Sequence, residues 1–247
     1  GKRDEARKVL ALLNPGGNIE KLMSDIEESQ KDHHSSNETI FMKKYRFPLL
    51  LAFLIAFFNQ LSGINAFLYY APRLFQEAGL GESTAVLSSI GLGVTNMIFT
   101  LIGISLIDKL GRKKLMYIGS IGYIISLSLV AMAFFLEWEG MSVPIFLFVF
   151  IASHAIGQGT VIWVFISEIF PDQLRASGQS FGTSTHWILA AIIPSLVPFL
   201  FGTIGAGTVF AVFAFMMVLQ LLFVLFMMPE TKGISLEQLE KILTKNK

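Results

Sequence analysis

The sequence has no cysteine. That removes disulfides, thiol catalysis and Cys-based metal sites, and leaves the compartment open. Charge is scarce as well, at 15% of residues, where a soluble domain carries about 25%. Of 19 basic and 18 acidic residues, only 13 lie between Pro48 and Met228. An ordinary cytosolic enzyme and a disordered chain are both excluded. A formal net charge of +1 provides no field for nucleic acid. The first 47 residues lack the basic-then-apolar pattern of a signal peptide. The chain starts at Gly1 rather than Met, as expected of a fragment or a processed product.

What is present is apolar and continuous. Hydrophobic residues make up 53% of the chain, and six apolar runs cover 48–72, 84–107, 115–136, 143–167, 176–202 and 207–228. Each is long enough to cross about 30 Å of hydrocarbon as a helix. A β-barrel is excluded, because its strands run about 10 residues and alternate polar with apolar. The fold expected is an all-α membrane protein, a bundle of six transmembrane helices over 48–228. A cytoplasmic segment, 1–47, precedes it, and a cytoplasmic tail, 229–247, follows.

The charged seams set an orientation. Lys109, Arg112, Lys113 and Lys114 lie in one seam, Lys43, Lys44 and Arg46 precede the first run, Arg175 precedes the fifth, and Lys232 follows the sixth. The intervening seams carry Arg73 against Glu77 and Glu82, then Glu137 and Glu139 with no base. The positive-inside rule places both termini and the basic seams in the cytoplasm. Trp138 suits an outer-interface anchor and Tyr45 an inner one.

In the leading segment, Arg3–Leu13 reads as a helix broken by Asn14, Pro15, Gly16 and Gly17. Ile19, Leu22, Met23 and Ile26 give a second, amphipathic helix. Its acidic polar face favours packing under the membrane domain over lying on lipid. His33 and His34 sit in an expected flexible link. Asn37, Glu38 and Thr39 match a glycosylation sequon, which a cytoplasmic position disfavours. Ser235–Leu243 reads as a short tail helix with Ser235 as N-cap and Gln238 three residues on.

Several runs carry polar groups that a plain membrane helix does not need. The first contains Asn59, Gln60, Ser62, Gly63 and Asn65. On an ideal helix Gln60 and Asn65 lie about 140° apart, so they converge only if the helix loosens near Gly63. Transporters build midplane sites from such discontinuous helices. The alternative is glue between helices; three amides beside a glycine favour the site. Asn96, alone in the second run, divides evenly between the two. In the fourth run Gly157 and Gly159 bend or thin the helix, and Gly159 shares a face with Trp163. The fifth run has His186 and Trp187, then Pro194 and Pro198 as kink points. Trp163 and Trp187 are placed to flank one cavity, the alternative for each being core packing. Aromatic faces suit the C–H face of a pyranose, and amides suit its hydroxyls. His154 and His186 read as hydrogen-bonded neutral residues, because no carboxylate lies mid-span to complete a metal site. No metal or cofactor is expected. An intramembrane enzyme is disfavoured for the same lack of mid-span acids.

The strings Gln60 to Asn65 with Tyr69 and Tyr70, Asp108 through Arg112 and Lys113, Trp163 with Ser167 to Pro171 and Arg175, and Pro229 to Gly233 together resemble one family. It is the sugar porter family of the major facilitator superfamily. Gly1 to Leu10 resembles the central cytoplasmic linker of that family, so the six runs correspond to helices seven to twelve, the C-terminal half of a 6+6 fold. The resemblance implies a monosaccharide carrier of the inner or plasma membrane, working by alternating access with an N-terminal six-helix half as partner. It implies sugar contacts from Gln60, Asn65, Asn96, Trp163 and Trp187, with Asn59 and His186 standing where many members have Gln and Asn. It implies a cytoplasmic charge network of Asp108, Arg112, Lys113, Glu168, Arg175 and Glu230. Proton coupling is possible within the family, but its acidic residue belongs to the N-terminal half. A polyol carrier and a non-transporting sensor are the alternatives; the short tail after Gly233 argues against the sensor.

Overall fold

A backbone in hydrocarbon has to satisfy its own N–H and C=O groups, which makes each apolar run a helix. The computed structural model of the chain describes residues 3–13, 16–24, 38–138, 140–234 and 236–244. Asn14, Pro15, Ile26, His33, His34, Asn37, Glu139 and Ser235 lie outside the described residues. The chain divides into two units, 1–39 and 40–247. In the first, α1 (Arg3–Leu13) is followed by α2 (19–24). Asn18 Oδ1 accepts the Lys21 N–H at 3.1 Å, an N-cap for α2, and Arg7 pairs with Glu20.

The second unit holds α3 (Arg46–Leu61), α4 (Ile64–Glu77), α5 (Glu82–Leu110), α6 (Arg112–Phe135), α7 (Ser142–His154), α8 (Thr160–Glu168), α9 (Arg175–Ile204), α10 (Ala206–Phe226) and α11 (Leu236–Thr244). Joined across their irregular segments, these give six helices long and apolar enough to cross a membrane. α6 packs against α10 and α7, α3 against α9, and α5 against α4 and α7. The first span buries 61% of its apolar window, while α5 and α9 each bury 17%. Those two helices therefore keep most of their apolar surface without a partner among the described residues.

The first span breaks where the sequence places a glycine. Gly63 has φ +81°, a left-handed conformation that costs a side chain strain. A Cβ there would also stand 2.8 Å from Phe67 Cζ and 2.9 Å from Phe213 Cε2. Ser62 Oγ donates to the Asn59 carbonyl at 2.6 Å, satisfying an acceptor that the break would otherwise leave open. Phe67 anchors the start of α4, stacked on Phe210 at 4.9 Å between ring centroids and edge-on to Phe150 at 4.8 Å.

The fourth span departs from α geometry at Ala155–Gly159, a π-helical turn joining α7 to α8. Thr160 Oγ1 donates to the Ala155 carbonyl at 2.6 Å inside it. The turn crosses α6 closely: a Cβ on Gly119 would lie 2.9 Å from Gly157 Cα. Small residues allow such backbone approach between membrane helices.

The fifth span corrects an expectation. α9 runs unbroken through Pro194 and Pro198, so Pro194 is not a helix break. Each proline removes a single N–H, and the bonds of the turns on either side keep the helix continuous. Tyr45, expected as an inner anchor, packs inside the chain. It is buried at 1% exposure against the rest of the chain, and its hydroxyl donates to Glu240 Oε1 of α11 at 3.4 Å. Residues 40–47 and the tail helix thus belong to the membrane unit.

Candidate functional site

Breaking the first span turns two amides toward each other. Asn65 Nδ2, in the first turn of α4, donates to Gln60 Oε1 at the end of α3 at 2.9 Å. An unbroken helix would hold them on separate faces. Gln60 Nε2 donates to Asn59 Oδ1 at 3.1 Å and lies 3.1 Å from His186 Nδ1. The α3–α9 packing brings His186 there.

A cavity of about 290 Å³ opens beside this group. Its walls include Asn59, Asn65, Asn96, Trp163, His186 and Trp187. Gln60 sits just behind the wall, 1% exposed. The three rings pack edge to face, with centroids 5.0 Å apart for Trp163 and His186 and 5.2 Å for His186 and Trp187. Gln179 Nε2 donates to the Trp163 carbonyl at 2.9 Å and ties α8 to α9. Gly159 also borders the cavity; a Cβ on it would meet His154 Cδ2 at 3.3 Å. The wall thus mixes amides, imidazole and indole, and among the described residues no carboxylate lines it. Trp187 is 59% exposed in this chain, on the sparsely packed α9.

Both histidines are hydrogen-bonded. The Tyr123 hydroxyl stands 2.5 Å from His154 Nδ1. Among the described residues, no cluster of His, Asp and Glu could hold a metal ion.

Residues that the sequence reading passed over complete the polar interior. Gln158 in the π turn accepts from Asn59 Nδ2 at 3.4 Å and donates to Gln220 of α10 at 2.9 Å. Gln220 donates to Ser120 Oγ at 2.8 Å. Gln220 is the one amide in an otherwise apolar α10, and that isolation was the available signal.

A second cluster joins the basic ends of the helices. Arg112 grips Glu168 with two bonds, Nη2 to Oε1 at 2.7 Å and Nε to Oε2 at 3.1 Å, a geometry suited to guanidinium. Its Nη1 reaches Asp108 Oδ1 at 3.1 Å. Asp108 is 83% exposed, so that contact adds little. Glu230 accepts the backbone N–H groups of Arg112 and Lys113 at 2.9 and 3.1 Å, placing an anion on the N-terminus of α6. Gly111 makes room for it: φ is +90°, and a Cβ would fall 2.4 Å from Glu230 Oε2. Thr231 Oγ1, absent from the expected network, donates to Glu168 Oε2 at 2.6 Å.

Two expected members of that cluster behave otherwise. Lys113 joins it through its backbone, while its Nζ donates to the Leu225 carbonyl at 3.1 Å. Arg175 stands apart, donating to the Ser167 carbonyl at 3.0 Å and pairing with Asp172 three residues earlier. The side chains of both cations thus bond partners outside the Arg112, Glu168 and Glu230 cluster.

Residues 1–243 match the model of a family described as "Sugar (and other) transporter". The chain belongs to the sugar transporter family. Its relatives include the arabinose-proton symporter of Bacillus subtilis (strain 168), 36% identical over 99% of this chain and 53% of the relative. The D-xylose transporter of Levilactobacillus brevis is 35% identical over 98% of this chain and 54% of its own length. Among solved structures, XylE with two introduced tryptophans has a TM-score of 0.85 at 29% identity, covering 98% of this chain and 52% of that one. The proton:xylose symporter XylE bound to 6-bromo-6-deoxy-D-glucose has a TM-score of 0.80 at 28% identity, with the same coverage. The chain therefore spans about half the length of the relatives it matches. Family membership and the six apolar helices make this transporter-family chain part of an integral, multi-pass membrane protein.

Proposed function

We propose that the chain supplies the sugar-binding half of a monosaccharide carrier that works by alternating access. The observation that carries this reading is the contact between Gln60 and Asn65 across the broken span, beside a cavity walled by Trp163, His186 and Trp187. Amides offer both donors and acceptors to a polyhydroxyl cargo, and indole faces pack on its C–H groups. Among the described residues, none on the wall carries a negative charge, which suits a neutral solute. Two of its relatives are named for arabinose and D-xylose, which agrees with this choice. A few such bonds give binding in roughly the micromolar to millimolar range. The cavity carries out no covalent chemistry in this reading.

The partner is a second six-helix half. The unpacked apolar faces of α5 and α9 and the half-length match to relatives support it. Trp187, exposed on α9 yet lining the cavity, then lies where the halves meet around the cargo. The basic helix ends and both termini face the cytoplasm of an inner or plasma membrane. There Arg112, Glu168 and Glu230 hold the cytoplasmic side shut in the outward-facing state, and part as the halves rock. Protons are the coupling ion if the partner half supplies a titratable acid.

The test is saturable uptake of labelled hexoses and pentoses by liposomes holding the transporter that contains this chain. Uptake of at least one monosaccharide, competed by the unlabelled sugar, supports the reading. No saturable uptake of any sugar overturns it.

A further inference from the structure

Behind the cavity, buried side chains from α3, the π turn, α10 and α6 form one directed chain of hydrogen bonds. It ends on a group whose role is fixed. Ser120 Oγ donates to the Met116 carbonyl at 2.7 Å. A carbonyl only accepts, so the hydroxyl proton is committed and Ser120 turns a lone pair to Gln220. Gln220 has to meet it with Nε2, at 2.8 Å, which leaves Gln220 Oε1 facing Gln158. Gln158 answers with Nε2 at 2.9 Å, and that nitrogen also lies 3.4 Å from the Ile55 carbonyl. A flipped Gln158 would turn its oxygen onto that carbonyl.

The order then propagates to the cavity. Gln158 Oε1 accepts from Asn59 Nδ2 at 3.4 Å, so Asn59 Oδ1 is turned to Gln60 and accepts its Nε2 at 3.1 Å. Gln60 Oε1 is left to accept from Asn65 at 2.9 Å. The second Nε2 hydrogen of Gln60 faces the His186 ring, 3.1 Å from Nδ1 and 3.2 Å from Nε2, so the nitrogen it meets must be an acceptor. Asn59, Gln60, Ser120, Gln158 and Gln220 are each no more than 2% exposed. Among the described residues, no fully buried side-chain nitrogen or oxygen lacks a partner.

A side-chain amide has nearly the same shape when flipped, but its donor and acceptor change places. A free amide on the wall would therefore greet either orientation of a hydroxyl group. This chain takes that freedom away, and it does so from a backbone carbonyl on another helix. We propose that Gln158 and Gln220 are positioning residues that fix the donor–acceptor orientation of Asn59, Gln60 and Asn65 and so set which sugar stereochemistry the cavity accepts. The proposal rests on the sugar-carrier reading above. Neither glutamine lines the cavity, so each acts through another residue. Sites that read a hydroxyl by fixed hydrogen bonds discriminate far more strongly than those that read shape alone.

Gln158→Met and Gln220→Met keep approximate length and remove the hydrogen bonds. In liposomes holding the transporter with this chain, kcat and KM are measured for two monosaccharides that differ in the orientation of one hydroxyl. In Gln158→Met the ratio of their kcat/KM values falls at least about fivefold, and the change lies in KM rather than kcat. Gln220→Met gives a smaller fall, because the Ile55 carbonyl still pins Gln158. Ser120→Ala, which removes one oxygen, gives the smallest, and decides the matter if the methionine variants do not assemble. An unchanged ratio, or uptake of both sugars falling in proportion, makes the chain a packing element and overturns the proposal. A parent protein that takes up no monosaccharide defeats the sugar-carrier reading instead, and shows it before any variant is compared.

Discussion

Arg112 and Glu168 meet through two parallel hydrogen bonds, at 2.7 and 3.1 Å, between the start of α6 and the end of α8. Arg112 is 8% exposed, and Thr231 adds a third bond to the same carboxylate. This pair is therefore worth more than a surface ion pair, and in the proposed carrier it is the core of the cytoplasmic charge network.

Arg112→Lys keeps the charge and loses the fork. It is expected to loosen the cluster by about 1 kcal/mol, which is roughly a fivefold shift in the balance of open and closed states. The chain has no cysteine, so Ser167→Cys beside the pair provides a unique label in this half. With any cysteines of the partner half removed, the labelling rate of that thiol should rise about fivefold when Arg112→Lys is added. An unchanged rate would mean that the pair does not gate.

Glu230→Gln retains an acceptor for one backbone N–H at the start of α6 and removes the anion. The expected loss is about 0.3–1 kcal/mol, and more for Glu230→Ala, which leaves both N–H groups without that carboxylate. Thermal unfolding of the purified protein in detergent measures both, and equal melting temperatures would contradict the capping role.

Gly63→Ala forces a side chain into positive φ and against Phe67 and Phe213. A cost of about 1–3 kcal/mol is expected from the backbone strain. The same change should pull Gln60 and Asn65 apart, so sugar affinity falls along with melting temperature. Gly119→Leu tests a different close contact. Its side chain has no room against Gly157, and the prediction is loss of monodisperse protein on size-exclusion chromatography. A well-behaved variant would show that α6 and the π turn separate easily.

Much of this was legible in the sequence, for identifiable reasons. The six spans follow from uninterrupted apolar runs, and no other structure crosses a bilayer with that composition. The convergence of Gln60 and Asn65 followed from asking how residues on separate helical faces could meet, and Gly63 supplied the answer. Pro194 misled because proline is read as a break, while a long helix supported by neighbours absorbs one lost N–H. Arg175 misled because its partners, the Ser167 carbonyl and Asp172, lie in the adjoining helix-end segment, a choice that charge type alone does not reveal. Gln158 and Gln220 were missed because an amide reveals its role only through partners on other helices. The π turn that aims Gln158 between α3 and α10 has no pattern in the sequence beyond two glycines.

The cavity walled by Asn65, Trp163, His186 and Trp187 is tested most directly by equilibrium binding of monosaccharides to the purified transporter. Trp163 and Trp187 report through their emission, with Trp138→Phe removing the one other tryptophan of this chain. A saturable emission change is predicted with at least one monosaccharide. In Gln60→Ala, affinity should fall at least about tenfold, close to 1.4 kcal/mol. Trp163→Phe should weaken binding in the same direction. No saturable response to any monosaccharide, or a response that Gln60→Ala leaves unchanged, would contradict a sugar site in this cavity.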